Sequence, residues 1–357
     1  MRMPVGSGPD DASTDGPRKP GPTFSVIINN YNYRTFLPEA VESILRQTYE
    51  DYELIIVDDG STDGSVAYIE SLGGDLILVL TDRRGQARAC LEAFRHARGR
   101  YIYFLDADDV AFEGLLSAAA LAVVDEPAKV QFRLVPTDAE GRPFADPTPA
   151  ITAEHDAAKQ RAEIYRTGMP LSPPTSGNIF HRRVLEAIGD IPYETAIDGI
   201  TILAAPFLGA VVSIPESLGA YRVHGLGHSA HANPLDAGRI GRDRERFSGR
   251  INHLNRVLET LRPSARPVRE AEGFFYHWDC VTLEAAVKGQ VIGPRAILAF
   301  VARLLAEHGL TRFSLRKLAW LIIAVAAPGP VKLRYVRARM NPWPRRRVQH
   351  PPALEGR

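Results

Sequence analysis

The stretch Arg100-Tyr101-Ile102-Tyr103-Phe104-Leu105-Asp106-Ala107-Asp108-Asp109 is a compact apolar run that ends in three aspartates. A buried strand that terminates this way can aim two carboxylates into one cleft. There they would hold a small hard cation while leaving room for phosphate oxygens. The same aspartates equally suit the cap of a helix beginning near Phe112. Upstream, the pattern alternates. Phe24–Asn29, Glu53–Val57 and Leu76–Leu80 read as strands, and Leu37–Gln47, Ser65–Leu72 and Gln86–Ala97 carry helical apolar spacing. Strand-helix repetition at this spacing predicts an α/β fold with a mostly parallel sheet covered by helices. Ligands of such sheets bind beyond the carboxyl ends of the strands. Polar clusters fall at those ends: Asn29 to Asn32, Asp58 to Asp63 and Asp106 to Asp109.

Asp59 can accept a hydrogen bond from a base N–H and so select uracil or thymine, or it can belong to a plain turn. Beyond the alternating region, Pro136 to Met169 is polar and weakly patterned, an excursion near an acceptor. Ser176–Phe180, Ala210–Ile214 and Leu218–Val223 read as strands, and Arg183–Ile188 and Gly199–Leu208 as helices. Helical patterns then occupy Arg239–Leu261, Val268–Lys288, Pro294–Glu307 and Ser314–Ala326. The expected organisation is a disordered tail over residues 1–22, an α/β domain over 23–235, a helical C-terminal region over 236–327 and a basic tail over 328–357.

Lysine plus arginine (43) balance aspartate plus glutamate (42), so no global field points to nucleic acid as partner. Cys90 and Cys280 are far apart in helical patterns and read as buried thiols of a reducing compartment. The start lacks the apolar run of a secretory leader, and Leu318 to Ala327 is shorter than the ~20 residues that span a bilayer. A cytoplasmic protein is expected. Arg316, Lys317, Lys332, Arg334, Arg337 and Arg339 flank Trp320 to Val325, a combination that suits peripheral contact with the inner face of a membrane. A core helix with a solvated basic tail is the competing reading.

Several ordered motifs together resemble family 2 glycosyltransferases of the GT-A fold. They are Ser25 to Asn32, Val41 to Tyr49, Val57 to Asp63, Gly85 to Ala89 and Gly99 to Asp109, with Pro174 to Phe180 and Leu218 to His224 further on. The resemblance implies a metal-dependent, inverting transfer of a sugar from a nucleotide diphosphate (UDP, dTDP or GDP) to a glycan or lipid-linked acceptor, with Mg2+ or Mn2+ as cofactor. It places Asn30, Tyr31 and Asn32 along the nucleotide pocket, Asp59 on the base, Arg88 on the ribose or diphosphate and Asp106 on the ribose. Asp108 would ligate the metal. From their place on a late strand and the loop after it, His224 would complete the metal shell or bind diphosphate and Arg222 would neutralise phosphate charge; a plain surface strand end is the competing reading for each.

Asp198 stands where the family has an acid before its Tyr-Arg-x-His element, which implies the general base. A helix cap over Thr201 is the other reading, and Glu194 is the rival base. Where the family shows a preceding acid this chain has Ile197, and where it often has Asn this chain has Ala89. His228 and His231 sit in a Gly- and His-rich loop that carries less signal. Three other classes compete. A nicotinamide dehydrogenase lacks support because no G-x-G-x-x-G follows the first strand. The others are a non-catalytic glycan-binding module, favoured by Ile197, and a peripheral membrane scaffold.

Overall fold

The computed structural model describes residues 21–224 and 236–339. Most of the expected N-terminal tail, His228, His231 and the run Arg345 to Arg347 lie outside the described residues.

The chain opens with β1 (Phe24–Asn30), α1 (Leu37–Leu45), β2 (Tyr52–Asp58), α2 (Ser65–Leu72), β3 (Ile77–Leu80), α3 (Gln86–His96) and β4 (Tyr101–Asp106). β1 is central, with β2 and β4 parallel on its two sides and β3 outside β2. A central strand must bury both faces, so it reads as an unbroken apolar run. β1 sends Ile27 to one core and Val26 and Ile28 to the other, as the two-residue period of a strand requires. Ile27 meets Ala89, Cys90 and Ala93 of α3, and the opposite face meets Leu37, Ala40, Val41 and Ile44 of α1. The apolar spacing of α1 is therefore the imprint of the sheet beneath it, and Pro38 opens it where no N–H is needed.

The chain continues through β5 (Val110–Ala111), α4 (Leu115–Ala122), β6 (Lys129–Thr137) and α5 (Ala157–Thr167), which Asp156 caps by accepting from Lys159 N. A 3-10 turn over Thr175–Gly177 leads into β7 (Asn178–His181), α6 (Arg182–Ile188), α7 (Asp198–Leu208) and β8 (Val211–Arg222). The eight strands run β3-β2-β1-β4-β7-β6-β8-β5, with β7 antiparallel to both neighbours. The mixed sheet, flanked by helices, is the α/β fold expected from the sequence.

Three details differ from the sequence reading. The two expected strands over 210–223 are one strand, β8, because register shifts opposite Phe132, Arg133 and Leu134 absorb Pro215 and Glu216 without ending the pairing with β6. The polar excursion from Pro136 contains the end of β6 and all of α5. Finally, the helix expected from Val268 begins at Phe275, after a 3-10 turn over Ala271–Gly273 and an extended Phe274.

The C-terminal helices are α8 (Ala237–Leu261), α9 (Phe275–Val287), α10 (Pro294–His308), α11 (Arg312–Ala326) and α12 (Gly329–Arg339). α8 joins the sheet core through Ile251, Leu254 and Leu258, and joins a separate helical core through Ile240. Where the sequence suggested the start of a basic tail, α12 packs Val336 inward and stacks Tyr335 on Trp320 at 5.3 Å. Among the described residues, no helix is long and apolar enough to cross a membrane.

Candidate active site

The carboxyl ends of β1, β2 and β4 carry the acidic and amide side chains that the sequence singled out. Asp106 ends β4, and its Oδ1 accepts from Asn29 Nδ2 at 2.7 Å and Gln86 Nε2 at 2.6 Å. Asp108 Oδ2 lies 2.9 Å from His224 Nε2. Asp109 is buried, accepting from Ser176 Oγ at 2.6 Å and from the Arg222 backbone N–H at 2.8 Å. One ligand atom from each of Asp106, Asp108 and Asp109 lies within 4.8 Å of the others. Burial and crowding raise the pKa values of Asp106 and Asp109. Burial, then the Asp108 charge, pushes Asp106 up to about 7, against the pull of its amide donors. Asp109 is pushed well up by burial and by the same two neighbours.

These groups fit a divalent cation. Oδ2 of Asp106 and Oδ1 of Asp108 accept no hydrogen bond from the described residues, so each is free to ligate. His224 Nε2 is hydrogen-bonded to Asp108 Oδ2, and the ligand atoms gathered within 4.8 Å are those of the three aspartates. Asp109 differs, since both its oxygens are committed. It ties the tip of β4 to the 3-10 turn and to the end of β8.

At the tips of β1 and β2, Asn30 Nδ2 donates to Asp58 Oδ2 and Ser61 Oγ, and Asn32, in the left-handed region at φ 57°, accepts from Thr62 N. These bonds lock the tips of β1 and β2 together. The Tyr31 ring lies under the Arg83 guanidinium at 5.1 Å. Asp59 Oδ1 accepts from Thr81 Oγ1 and Arg84 N, and Oδ2 accepts from Gly85 N. Asp59 therefore braces the loop leading into α3, where Gly85 at φ 86° supplies a turn that a side chain would strain. One acceptor position remains on Oδ2. Arg88 is exposed on α3 and reaches the Pro192 carbonyl at 3.4 Å, against the loop that leads to Asp198. Arg222 is buried, paired with Glu39 at 2.6 Å and stacked 4.8 Å over Phe36. In this arrangement it braces the end of β8 against α1.

Asp198 opens α7. Burial raises it and the Glu194 charge adds to that, while Arg250, a Thr175 hydroxyl bond and Lys129 oppose the rise. The Cys90 thiol, buried under α3, is pushed well up by burial and then by the charges of Asp106, Asp198 and Asp59. Glu194, the rival base, is locked in a two-pronged pair with Arg250 at 2.5 and 2.7 Å. A Cβ at Gly199 would stand 2.5 Å from Glu194 Oε2 and 2.6 Å from Arg250 Nη2, so glycine is what lets this pair sit against α7. Ile197 points into the apolar core at 0% exposure, which explains why no acid stands there.

The profile of glycosyl transferase family 2 matches residues 25–187. The uncharacterized glycosyltransferase alr2836 of Nostoc sp. is 34% identical over 219 residues, which cover 58% of this chain and 67% of that protein. The chain belongs to glycosyltransferase family 2. A second relative, the UDP-Glc:alpha-D-GlcNAc-diphosphoundecaprenol beta-1,3-glucosyltransferase WfgD of Escherichia coli, is 35% identical over 88 residues, covering 24% of this chain and 35% of that one. Among solved structures, S. aureus TarS 1-349 in complex with UDP-GlcNAc aligns at TM-score 0.49 and 18% identity, covering 88% of this chain and 92% of that one.

Several side chains of this glycosyltransferase to which the sequence assigned no role complete the site. Gln86 and Asn29 hold Asp106, Thr175 reaches Asp198, and Arg250 restrains Glu194 from α8. Lys129 is the least expected. It is fully buried on β6, and its Nζ donates to Gln131 Oε1 at 2.8 Å and Ser172 Oγ at 2.9 Å. Burial lowers its pKa to about 7, against the Asp198 charge. The unfolded chain keeps this proton up to the ordinary lysine range, near ~10.4. Between the two values the unfolded transferase binds one more proton, so stability rises with pH. Comparing urea midpoints at pH 7.5 and pH 9 for the parent and for Lys129→Met should show a rise in the parent, at up to ~1.4 kcal/mol per pH unit, that the variant lacks. The same slope in both proteins would exclude a displaced lysine.

Proposed function

We propose that the chain transfers a sugar from a nucleoside diphosphate to an acceptor hydroxyl with inversion, assisted by Mg2+ or Mn2+. The observation that carries this reading is the pair of open carboxylate oxygens on Asp106 and Asp108 beyond the end of β4, with the half-buried carboxylate Asp198 at the start of α7 as a separate acid. Asp106, Asp108 and His224 would hold the cation, whose chemistry when bound is to neutralise charge growing on a departing diphosphate. Asn30, Tyr31 and Asn32 line the nucleotide side, and Asp59 offers its remaining acceptor position to the base. Arg88 is exposed within reach of that side, and Arg222 acts on the diphosphate through the β8 end it steadies.

Asp198 takes the proton of the acceptor hydroxyl as the oxygen attacks the anomeric carbon. Its raised pKa supports that role: partial burial, with the Glu194 charge, makes the carboxylate a stronger base. Attack from the side opposite the leaving diphosphate inverts the anomeric centre. The UDP-glucose named for the WfgD relative supports a uridine donor, and its diphosphoundecaprenol acceptor supports a lipid-linked or glycan acceptor in polysaccharide assembly. A lipid-linked acceptor places the chain at the cytoplasmic face of a membrane.

A thermal-shift series over UDP, dTDP and GDP, with and without Mn2+, tests the donor assignment. A ligand at 100 times its dissociation constant stabilises the native state by ~2.7 kcal/mol. The expected outcome is a shift for one nucleotide that grows when Mn2+ is added. No shift for any of the three, with or without Mn2+, would overturn the reading.

A further inference from the structure

α10 and α11 each bury one face and leave the other face apolar. In α11, Trp320, Leu321 and Ala324 lie in the helical core with Val336 of α12. On the opposite side, Leu315, Ala319, Ile322 and Ala326 are all exposed. Their spacing of four, three and four residues lines them up along one stripe. Leu315 and Ile322 are 55% and 67% exposed, and Val325 beside them 48%. α10 repeats the device: Leu298, Ala302 and Leu305 form an exposed stripe, with Leu298 at 71%. Single exposed leucines are ordinary on a soluble surface. Two helices that each direct an ordered apolar stripe into water, while their buried faces are already filled, are not.

The charge around the α11 stripe identifies what covers it. Arg312 and Arg316 flank the α11 stripe, whereas the α10 stripe lies beside Glu270 and Glu272, with Arg295 paired to Glu272 at 3.8 Å. From Pro294 to Arg339 there are nine arginines and lysines against the single acid Glu307, which is buried and bound to Arg269. A second copy of this chain would bring like charges together across the contact. A surface that is apolar below and negatively charged at its rim satisfies both features.

We propose that the outward face of α11 rests on an anionic lipid bilayer. Leu315 and Ile322 enter the headgroup boundary, and the flanking Arg312 and Arg316 meet lipid phosphates. This names the surface and the lipid charge behind the peripheral placement proposed above, but it does not depend on sugar transfer.

The test is co-sedimentation of the full chain with vesicles of phosphatidylcholine alone and of phosphatidylcholine with phosphatidylglycerol, at low and high salt. The expected result is binding to the phosphatidylglycerol vesicles that weakens as salt rises. In Leu315→Glu/Ile322→Glu that binding should fall by at least about tenfold. Both positions face water, so the variant should keep its thermal transition and its nucleotide-dependent thermal shift. That second readout separates failure of this proposal from failure of the donor assignment. Equal binding by parent and variant overturns the proposal, as does no binding by the parent at low salt. Sedimentation velocity without vesicles covers the other occupant: a dimer that the same variant dissociates would assign the stripe to a second copy and overturn the lipid assignment.

Discussion

Asp108→Asn is expected to lower sugar transfer by about a hundred- to a thousandfold and to leave the melting temperature within ~2 °C of the parent. The two halves of this result come from different parts of the geometry. Asp108 Oδ1 is open, and Oδ2 meets His224 at 2.9 Å, a contact an amide can keep. The fold therefore loses little. It also sheds one of the charges that raise both Asp106 and Asp109, so the repulsion among three crowded carboxylates falls. What the amide lacks is the negative charge needed to hold a divalent cation against a diphosphate.

Asp109→Asn supplies the contrast. Asp109 accepts from Ser176 Oγ and from Arg222 N–H in a buried setting. An amide has one acceptor oxygen, so one buried donor loses its partner, at about 1–3 kcal/mol. Asp109→Asn should thus lower the melting temperature measurably. Initial rates over a Mn2+ titration, alongside melting curves of the metal-free proteins, would read both effects. If Asp108→Asn transfers sugar at the parental rate at every Mn2+ concentration, the cation-holding role of Asp108 is lost.

The parallel half of the sheet was legible because β1, β2 and β4 are buried on both faces and so leave unbroken apolar runs in the sequence. The strand tips were legible for the same reason: Asn29 to Asn32, Asp58, Asp59 and Asp106 to Asp109 are polar residues directly following such runs. The antiparallel half was less so. β6 opens with a lysine and carries a glutamine two residues on, a pattern that reads as surface until Lys129 and Gln131 are seen bonded to each other inside. The contacts that decide the acceptor side were not legible at all. Glu194 and Arg250 are 56 residues apart, and helical spacing in α8 shows that Arg250 leaves the apolar stripe without showing what it meets. The apolar Ile197 looked like a missing acid, whereas its backbone position faces the core and admits none.

Asp198→Asn should lower transfer by about a hundred- to ten-thousandfold with the donor KM unchanged, since a general base acts on the attacking hydroxyl and does not touch the donor. The substitution keeps the shape of the side chain and its place at the start of α7. The neighbouring charges set the cost to the fold. Arg250 already has a full partner in Glu194, so the loss of the Asp198 charge leaves no unpaired cation beside it. Glu194→Gln behaves differently. It breaks one side of a buried, two-pronged pair and leaves Arg250 without its hydrogen-bonded carboxylate, with only the Asp198 charge still acting on it, a loss of up to about 3–5 kcal/mol. That variant should therefore melt early and lose donor binding together with transfer, as a damaged scaffold does. Melting curves, a donor thermal shift and initial rates on both variants separate the two acids. Should Asp198→Asn turn over at near the parental rate while Glu194→Gln stays folded and inactive, the base is Glu194, and its pairing with Arg250 would have to open during the reaction.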